Sequence, residues 1–310
     1  MPLFSVIIPL YNKAGYIKNT LAALHAQTFT DYEIIVINDG STDNSDAIFK
    51  TLKHEKLTYL TTVNRGVSAA RNTGIATAKG TLIAFLDADD VWKPNHLETL
   101  YNLYRQYPGA GMYVSRYYIK NPGSNTLQKT VLNNIPNGFT GVVPDFFNSS
   151  LTHRLAWTSA LAIPKIVFNN VGFFNESLTN SEDTEMWIRI ALKYPVALSN
   201  KFTAIYNFEI PNSLSKRKIT ACKIMDFSPF VTFEQQNSSL KAYMDMYRTE
   251  YALKFKTQGD TLTAATLMRA VNPKNISALK TFLLKLPVAV LIALLYSKRW
   301  LYKKGILQYR

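Results

Sequence analysis

At 310 residues, 47% hydrophobic and 18% charged, the chain has material for one large folded domain or two modest ones, which excludes the disordered class. Its single cysteine, Cys222, excludes an intramolecular disulfide and a cysteine-built zinc site and suits a reducing compartment; the four histidines, His25, His54, His96 and His153, form no ligand pair at helical or strand spacing. The net charge of +14 is uneven: residues 1–216 carry 19 basic against 16 acidic residues, whereas residues 217–310 carry 16 against 5, so the last third points to an anionic surface.

Residues 1–9 lack a basic n-region and a small-residue cleavage site, so a first strand and a cytoplasmic location are expected. Residues 3–10 form a β-rich apolar run closed by Tyr11-Asn12-Lys13, after which Ile17, Leu21 and Leu24 recur at helical spacing. Residues 33–38 predict a second strand, and Asp39-Gly40-Ser41-Thr42-Asp43 leads into a helix through Ile48 and Leu52. A third strand over 57–63 precedes a helix over 66–78 whose small residues suit close packing on a sheet. The fourth strand spans 81–87 and its helix 94–107. Residues 110–119 and 156–163 carry strand character, 121–140 are polar and loop-like, 181–194 predict a helix with acids in its first turn, and the chain from Lys216 is mostly helical.

Strands alternating with helices predict an α/β fold, a mostly parallel sheet flanked by helices, with a mainly helical C-terminal extension. Ligands on such sheets bind beyond the carboxyl ends of the strands, so Asn12, Asp39 and Asp87 should share one rim. At that rim an apolar strand runs into Asp87-Ala88-Asp89-Asp90. Crowded carboxylates need a cation, donors or water, and a divalent metal shared with substrate phosphates is one solution. A solvated turn with one aspartate capping the next helix is the other.

Four segments then appear in order: Val6-Ile7-Ile8-Pro9-Leu10-Tyr11-Asn12, Asn38-Asp39-Gly40-Ser41-Thr42-Asp43, Asn64-Arg65-Gly66-Val67-Ser68-Ala69-Ala70-Arg71-Asn72 and Phe85-Leu86-Asp87-Ala88-Asp89-Asp90. With the later Ser181-Glu182-Asp183-Thr184-Glu185-Met186-Trp187, the pattern resembles the family 2 glycosyltransferases, inverting enzymes with the GT-A, Rossmann-like nucleotide-sugar fold. The resemblance covers roughly residues 3–215. It implies a catalytic domain over 1–215, with a nucleotide-binding half to about 110 and an acceptor half over 111–215.

That resemblance implies Asp89 as the main ligand of a divalent metal (Mn2+ or Mg2+), with Asp87 on the ribose or sharing the metal. It implies a nucleobase contact for Asp39, otherwise an Asx-turn residue, and an opposite pocket wall from Pro9, Tyr11 and Asn12. Arg71 would contact the nucleotide, its plain alternative being a surface salt bridge. Asp183 would be the acceptor-side base, supported by Glu182; the alternative is acids enriched near a helix dipole. Asp90 would join the metal site or instead cap the helix after Pro94, Asp43 suits a helix cap, and Trp187 suits the core. The family often completes its metal site with a histidine after a Tyr-Arg pair; here residues 206–213 contain none, leaving Glu209 or Asn207 or water for that position.

The segment 281–304 is apolar then basic and aromatic, but its uncharged run, Leu286 to Tyr296, is too short for the ~20 residues that span a bilayer. It suits an element lying on an anionic membrane, or a buried helix with a solvated basic end. The functional expectation is a transferase using a nucleotide-diphosphate sugar, UDP the expected carrier, on a glycan or lipid-linked glycan in cell-surface polysaccharide synthesis, peripheral on the cytoplasmic face, with no nucleic acid as partner. A nucleotidyltransferase would need a glycine-rich phosphate loop after the first strand, which residues 11–15 do not supply. A non-catalytic membrane- or nucleic-acid-binding protein driven by the basic end is the remaining alternative.

Overall fold

The computed structural model describes residues 1–51, 56–120, 126–207 and 217–303. The first half alternates as expected. Strand β1 (Phe4–Leu10) is followed by α1 (Ile17–His25), β2 (Tyr32–Asp39), α2 (Ser45–Lys50), β3 (Leu57–Thr62), α3 (Val67–Thr77) and β4 (Leu82–Phe85). The expected extension of α2 to Leu52 lies outside the described residues. After β4 come β5 (Val91–Trp92), α4 (His96–Gln106), β6 (Met112–Lys120), β7 (Leu127–Lys129), β8 (Gly141–Val142), α5 (Phe146–Ser149), β9 (Leu161–Pro164), α6 (Lys165–Val171), α7 (Glu182–Ala191) and β10 (Val196–Asn207). The C-terminal region holds α8 (Val231–Gln236), α9 (Ser238–Thr257), α10 (Thr261–Arg269), α11 (Ala278–Lys285) and α12 (Val288–Lys303).

One sheet carries the strands in the order β3-β2-β1-β4-β9-β6-β10-β5, with β7 beside β6 and β8 beside β10. Its first four strands are parallel; β9 runs against both β4 and β6, while β6 and β10 are parallel. The strands of the parallel half are apolar on both faces because helices cover both. Ile7, Ile35, Ile37, Ile83 and Phe85 join a core with α3, α6, α7 and α9. Val6, Ile8, Ile34, Val36, Leu82 and Ala84 join the opposite core with α1 and α4. Close approach of α3 depends on Gly74, where an added Cβ would sit 2.4 Å from Ile7 Cγ2.

Sequence periodicity does not reveal β10. Ser199-Asn200-Lys201 interrupts its apolar run, and the strand absorbs them as register shifts against β6 between Ser199 and Ala204. The short strands β5, β7 and β8 carry no periodic signal either.

The C-terminal region is not a separate core. Leu240, Tyr243, Met244, Tyr247, Tyr251, Ala252 and Phe255 of α9 belong to the same apolar cluster as Ile7 and Phe85. Beyond it α11 and α12 are separated at Leu286, which is extended as expected before Pro287. Among the described residues no helix is long and apolar enough to cross a membrane. Nor is this segment a buried core helix: Leu291 is buried, but Phe282, Val290, Leu294, Leu295, Tyr296 and Trp300 are exposed.

Candidate active site

The carboxyl ends of β1, β2 and β4 lie side by side, so Asn12, Asp39 and Asp87 share one rim. Pro9 pairs with Ile37 within the sheet, and Tyr11 lies 38% exposed at the edge. Asn12 adopts a left-handed conformation (φ 51°), and its Oδ1 accepts the Thr42 and Asp43 amides at 2.8 and 3.2 Å. It thereby ties the loop after β1 to the loop after β2. Asp39 is buried, and its two oxygens accept the Arg65 and Gly66 amides, each at 2.8 Å. Oδ1 also accepts Thr62 Oγ1 at 3.5 Å, so the remaining lone pair is on Oδ2.

The three acids after β4 have different environments. Asp87 accepts Arg71 Nη2 at 3.0 Å, and its amide donates to Ser159 Oγ at 3.0 Å. Asp89 forms an ion pair with Lys13 Nζ. Burial pushes the Asp89 carboxyl up, Lys13 opposes that and Asp87 adds to it. Asp90 is buried and caps no helix: it accepts Trp157 Nε1 at 3.1 Å and the Asn207 amide at 3.2 Å, joining the acidic turn to the end of β10. Burial, then Asp89 and Asp87, pushes Asp90 up to about 8.

Arg71 is not on the surface. It is 3% exposed, with Nη2 on Asp87 and Nη1 on Glu182 Oε1 at 3.2 Å. Among the described residues its Nε is buried without a hydrogen-bond partner, and the guanidinium lies 5.4 Å from the Phe174 ring centroid. Desolvation works against its charge, but Asp87, Glu182 and Asp183 more than compensate and hold its pKa up. Glu182 is raised by burial and by Asp183, with Arg71 opposing. One buried guanidinium therefore joins the acids of the β4 rim to those of α7.

Asp183 sits in the first turn of α7, after Ser181 at φ 66°. Its Oδ1 accepts the Thr184 amide at 2.6 Å and lies 3.2 Å from Thr184 Oγ1. Among the described residues its Oδ2 has no hydrogen-bond partner. Arg154 belongs to the same cluster: its guanidinium lies 5.4 Å from the Tyr247 ring centroid, and Tyr247, then Asp183 against the cost of burial, hold its charge. The sequence reading missed Arg154, Lys13, Ser159 and Tyr247. Lys13 alone left a signal, as a cation directly beside the motif ending at Asn12.

Among the described residues no three acids, histidines or cysteines are grouped to enclose a metal. Asp89 with Asp87 still fits a hard dication that takes one or two protein carboxylates and fills its shell with substrate phosphate and water. Asn207 engages Asp90 through its amide, and Glu209 lies outside the described residues. A separate cleft lined by Lys79, Thr81, Gly109, Tyr113 and Lys165 opens at the amino ends of β4 and β6, the opposite end of the strands from these acids.

The family model described as Glycosyl transferase family 2 matches residues 5–176. An uncharacterised glycosyltransferase of Rickettsia typhi is 26% identical over 300 residues, covering 92% of this chain and 89% of the relative. Chondroitin synthase of Escherichia coli is 27% identical over 243 residues, covering 77% of this chain but 33% of that protein. Several other Rickettsia relatives are likewise spanned over only about a third of their length. The crystal structure of S. aureus TarS 1-349 in complex with UDP-GlcNAc superposes with a TM-score of 0.67 at 20% identity, covering 99% of this chain and 93% of that one. That likeness establishes the shared fold.

Proposed function

We propose, from the premise that this chain belongs to glycosyl transferase family 2, that it is an inverting transferase moving a sugar from a nucleotide-diphosphate donor to a glycan or lipid-linked glycan. The observation that carries the reading is Arg71, which holds Asp87 of the strand rim and Glu182 of α7 in one cleft. A donor bound along the rim and an acceptor beside α7 then meet across that cation. Tyr11 offers its exposed ring to the base, Asp39 a remaining lone pair, and Pro9 and Asn12 the wall between them. Asp183 Oδ2 takes the acceptor hydroxyl proton as the oxygen attacks the anomeric carbon opposite the leaving diphosphate. Glu182 and Arg71 set the charge around that base. A divalent metal held by Asp89 and Asp87 would supply Lewis-acid stabilisation of the departing diphosphate. Lys13, paired with Asp89, is a second cation beside the same charge.

UDP is the proposed carrier, supported by the UDP-GlcNAc and UDP complexes of the structurally similar TarS. A role in surface polysaccharide synthesis is supported by the likeness to a chondroitin synthase. The exposed apolar and aromatic residues of α11 and α12, among lysines and an arginine, support peripheral contact with the cytoplasmic face of an anionic membrane. Thermal unfolding with UDP, GDP and TDP, each with and without Mn2+, tests the reading. UDP at 100 times its Kd should stabilise the fold by about 2.7 kcal/mol in the presence of the metal. No stabilisation by any of the three would instead favour a non-catalytic, surface-binding protein.

A further inference from the structure

Helix α9 lies outside the residues matched to the family model, yet it reaches the first turn of α7. Tyr243, Tyr247 and Tyr251 stand at four-residue intervals on one face of α9, all buried. Tyr247 Oη is 3.3 Å from Thr184 Oγ1 and 3.4 Å from Tyr243 Oη, and Tyr251 Oη donates to Asn180 Oδ1 at 3.4 Å. Thr184 Oγ1 is in turn 3.2 Å from Asp183 Oδ1.

A threonine hydroxyl has one proton and accepts through its lone pairs. Thr184 Oγ1 is placed to share that proton between Asp183 Oδ1 and Tyr247 Oη, and Tyr243 is placed to donate to Tyr247. The Tyr247 oxygen thereby fixes the Thr184 side chain beside the carboxylate. Burial raises the pKa of Tyr243 and Tyr247, keeping both phenols protonated.

We propose that Tyr247, braced by Tyr243, is a positioning residue that fixes Thr184 on Asp183 Oδ1 so that Oδ2 faces the acceptor. This rests on the reading of Asp183 as the base. It makes α9 part of the catalytic assembly, with the Arg154 guanidinium 5.4 Å from the Tyr247 ring centroid.

The test follows UDP release from UDP-GlcNAc by the full chain. Tyr247→Phe, which keeps the ring and its packing, should lower kcat by roughly 3- to 10-fold, the worth of one hydrogen bond, and leave donor KM and UDP affinity unchanged. Thr184→Val should lose at least as much, Thr184→Ser should restore most of it, and Tyr247→Phe added to Thr184→Val should cost nothing further. Unchanged kcat in Tyr247→Phe, a parallel loss of UDP affinity, or additive losses in the double variant would overturn the proposal. Asp183→Asn separates the two readings. If it is inactive while Tyr247→Phe is normal, only the positioning role fails; if it is fully active, the base reading fails first.

Discussion

The strand rim and Asp183 at the start of α7 hold their carboxylates in opposite ways. On the rim every acid is partnered: Asp39 by two backbone amides, Asp87 by Arg71, Asp89 by Lys13 and Asp90 by Trp157 and Asn207. On α7, Asp183 is held through one oxygen only. A surface that binds a diphosphate gains from fixed geometry and nearby cations, whereas a base needs an oxygen left free for a proton. Glu182 lies between the two and shares Arg71 with the rim.

That contrast can be broken most severely at Asp89. Asp89→Ala should reduce transfer by on the order of 100-fold or more and abolish the added effect of Mn2+ on UDP binding, measured by initial rates and titration. Unimpaired transfer in this variant, with chelator present, would remove the metal from the account. Gly80→Ala strikes the framework under the rim. Its Cβ would lie 2.6 Å from the Ser5 amide nitrogen and 2.7 Å from the Phe4 carbonyl carbon, backbone atoms of β1 that do not yield. A loss of up to about 3 kcal/mol in denaturant unfolding is expected. Gly15→Ala, where nothing lies within 4 Å, is the control, and equal stability of the two would contradict the packing argument.

A smaller effect arises at His96, which bonds Thr203 of β10 at 2.7 Å and stacks on Trp92 of β5, fastening α4 to that end of the sheet. Burial pushes it down to about 3, so the folded protein refuses a proton that the unfolded chain accepts below about 6.5. Its contribution is complete above that pH and is lost as pH falls toward 3, costing about 2 kcal/mol between pH 7 and pH 5. Replacing it by His96→Gln should shrink the stability drop over that interval by this amount. Equal drops in the two proteins would show that His96 titrates normally in the fold.

The rim was legible because its signals are local. An apolar run ending in Asn12, Asp39 or Asp87 shows both the strand and the end at which a ligand sits. The expectation that Arg71 contacts the nucleotide did not reveal that the same side chain bridges to Glu182, 111 positions away. Tyr247 and Thr184 are 63 positions apart, and nothing in either neighbourhood marks the contact. Strand β10 escaped notice because three polar residues break its pattern, although it supplies Asn207 to Asp90 and Thr203 to His96. Helices α11 and α12 expose apolar residues, and among the described residues no helix has the length to span a bilayer.

The division between a partnered rim and a free base is tested most directly by Asp183→Asn, with UDP affinity and transfer rate measured on the same preparation. Transfer should fall by about 10²- to 10⁴-fold while UDP affinity stays at the wild-type value. A joint loss of affinity and rate would make Asp183 a structural residue, and undiminished transfer would contradict its role as the base.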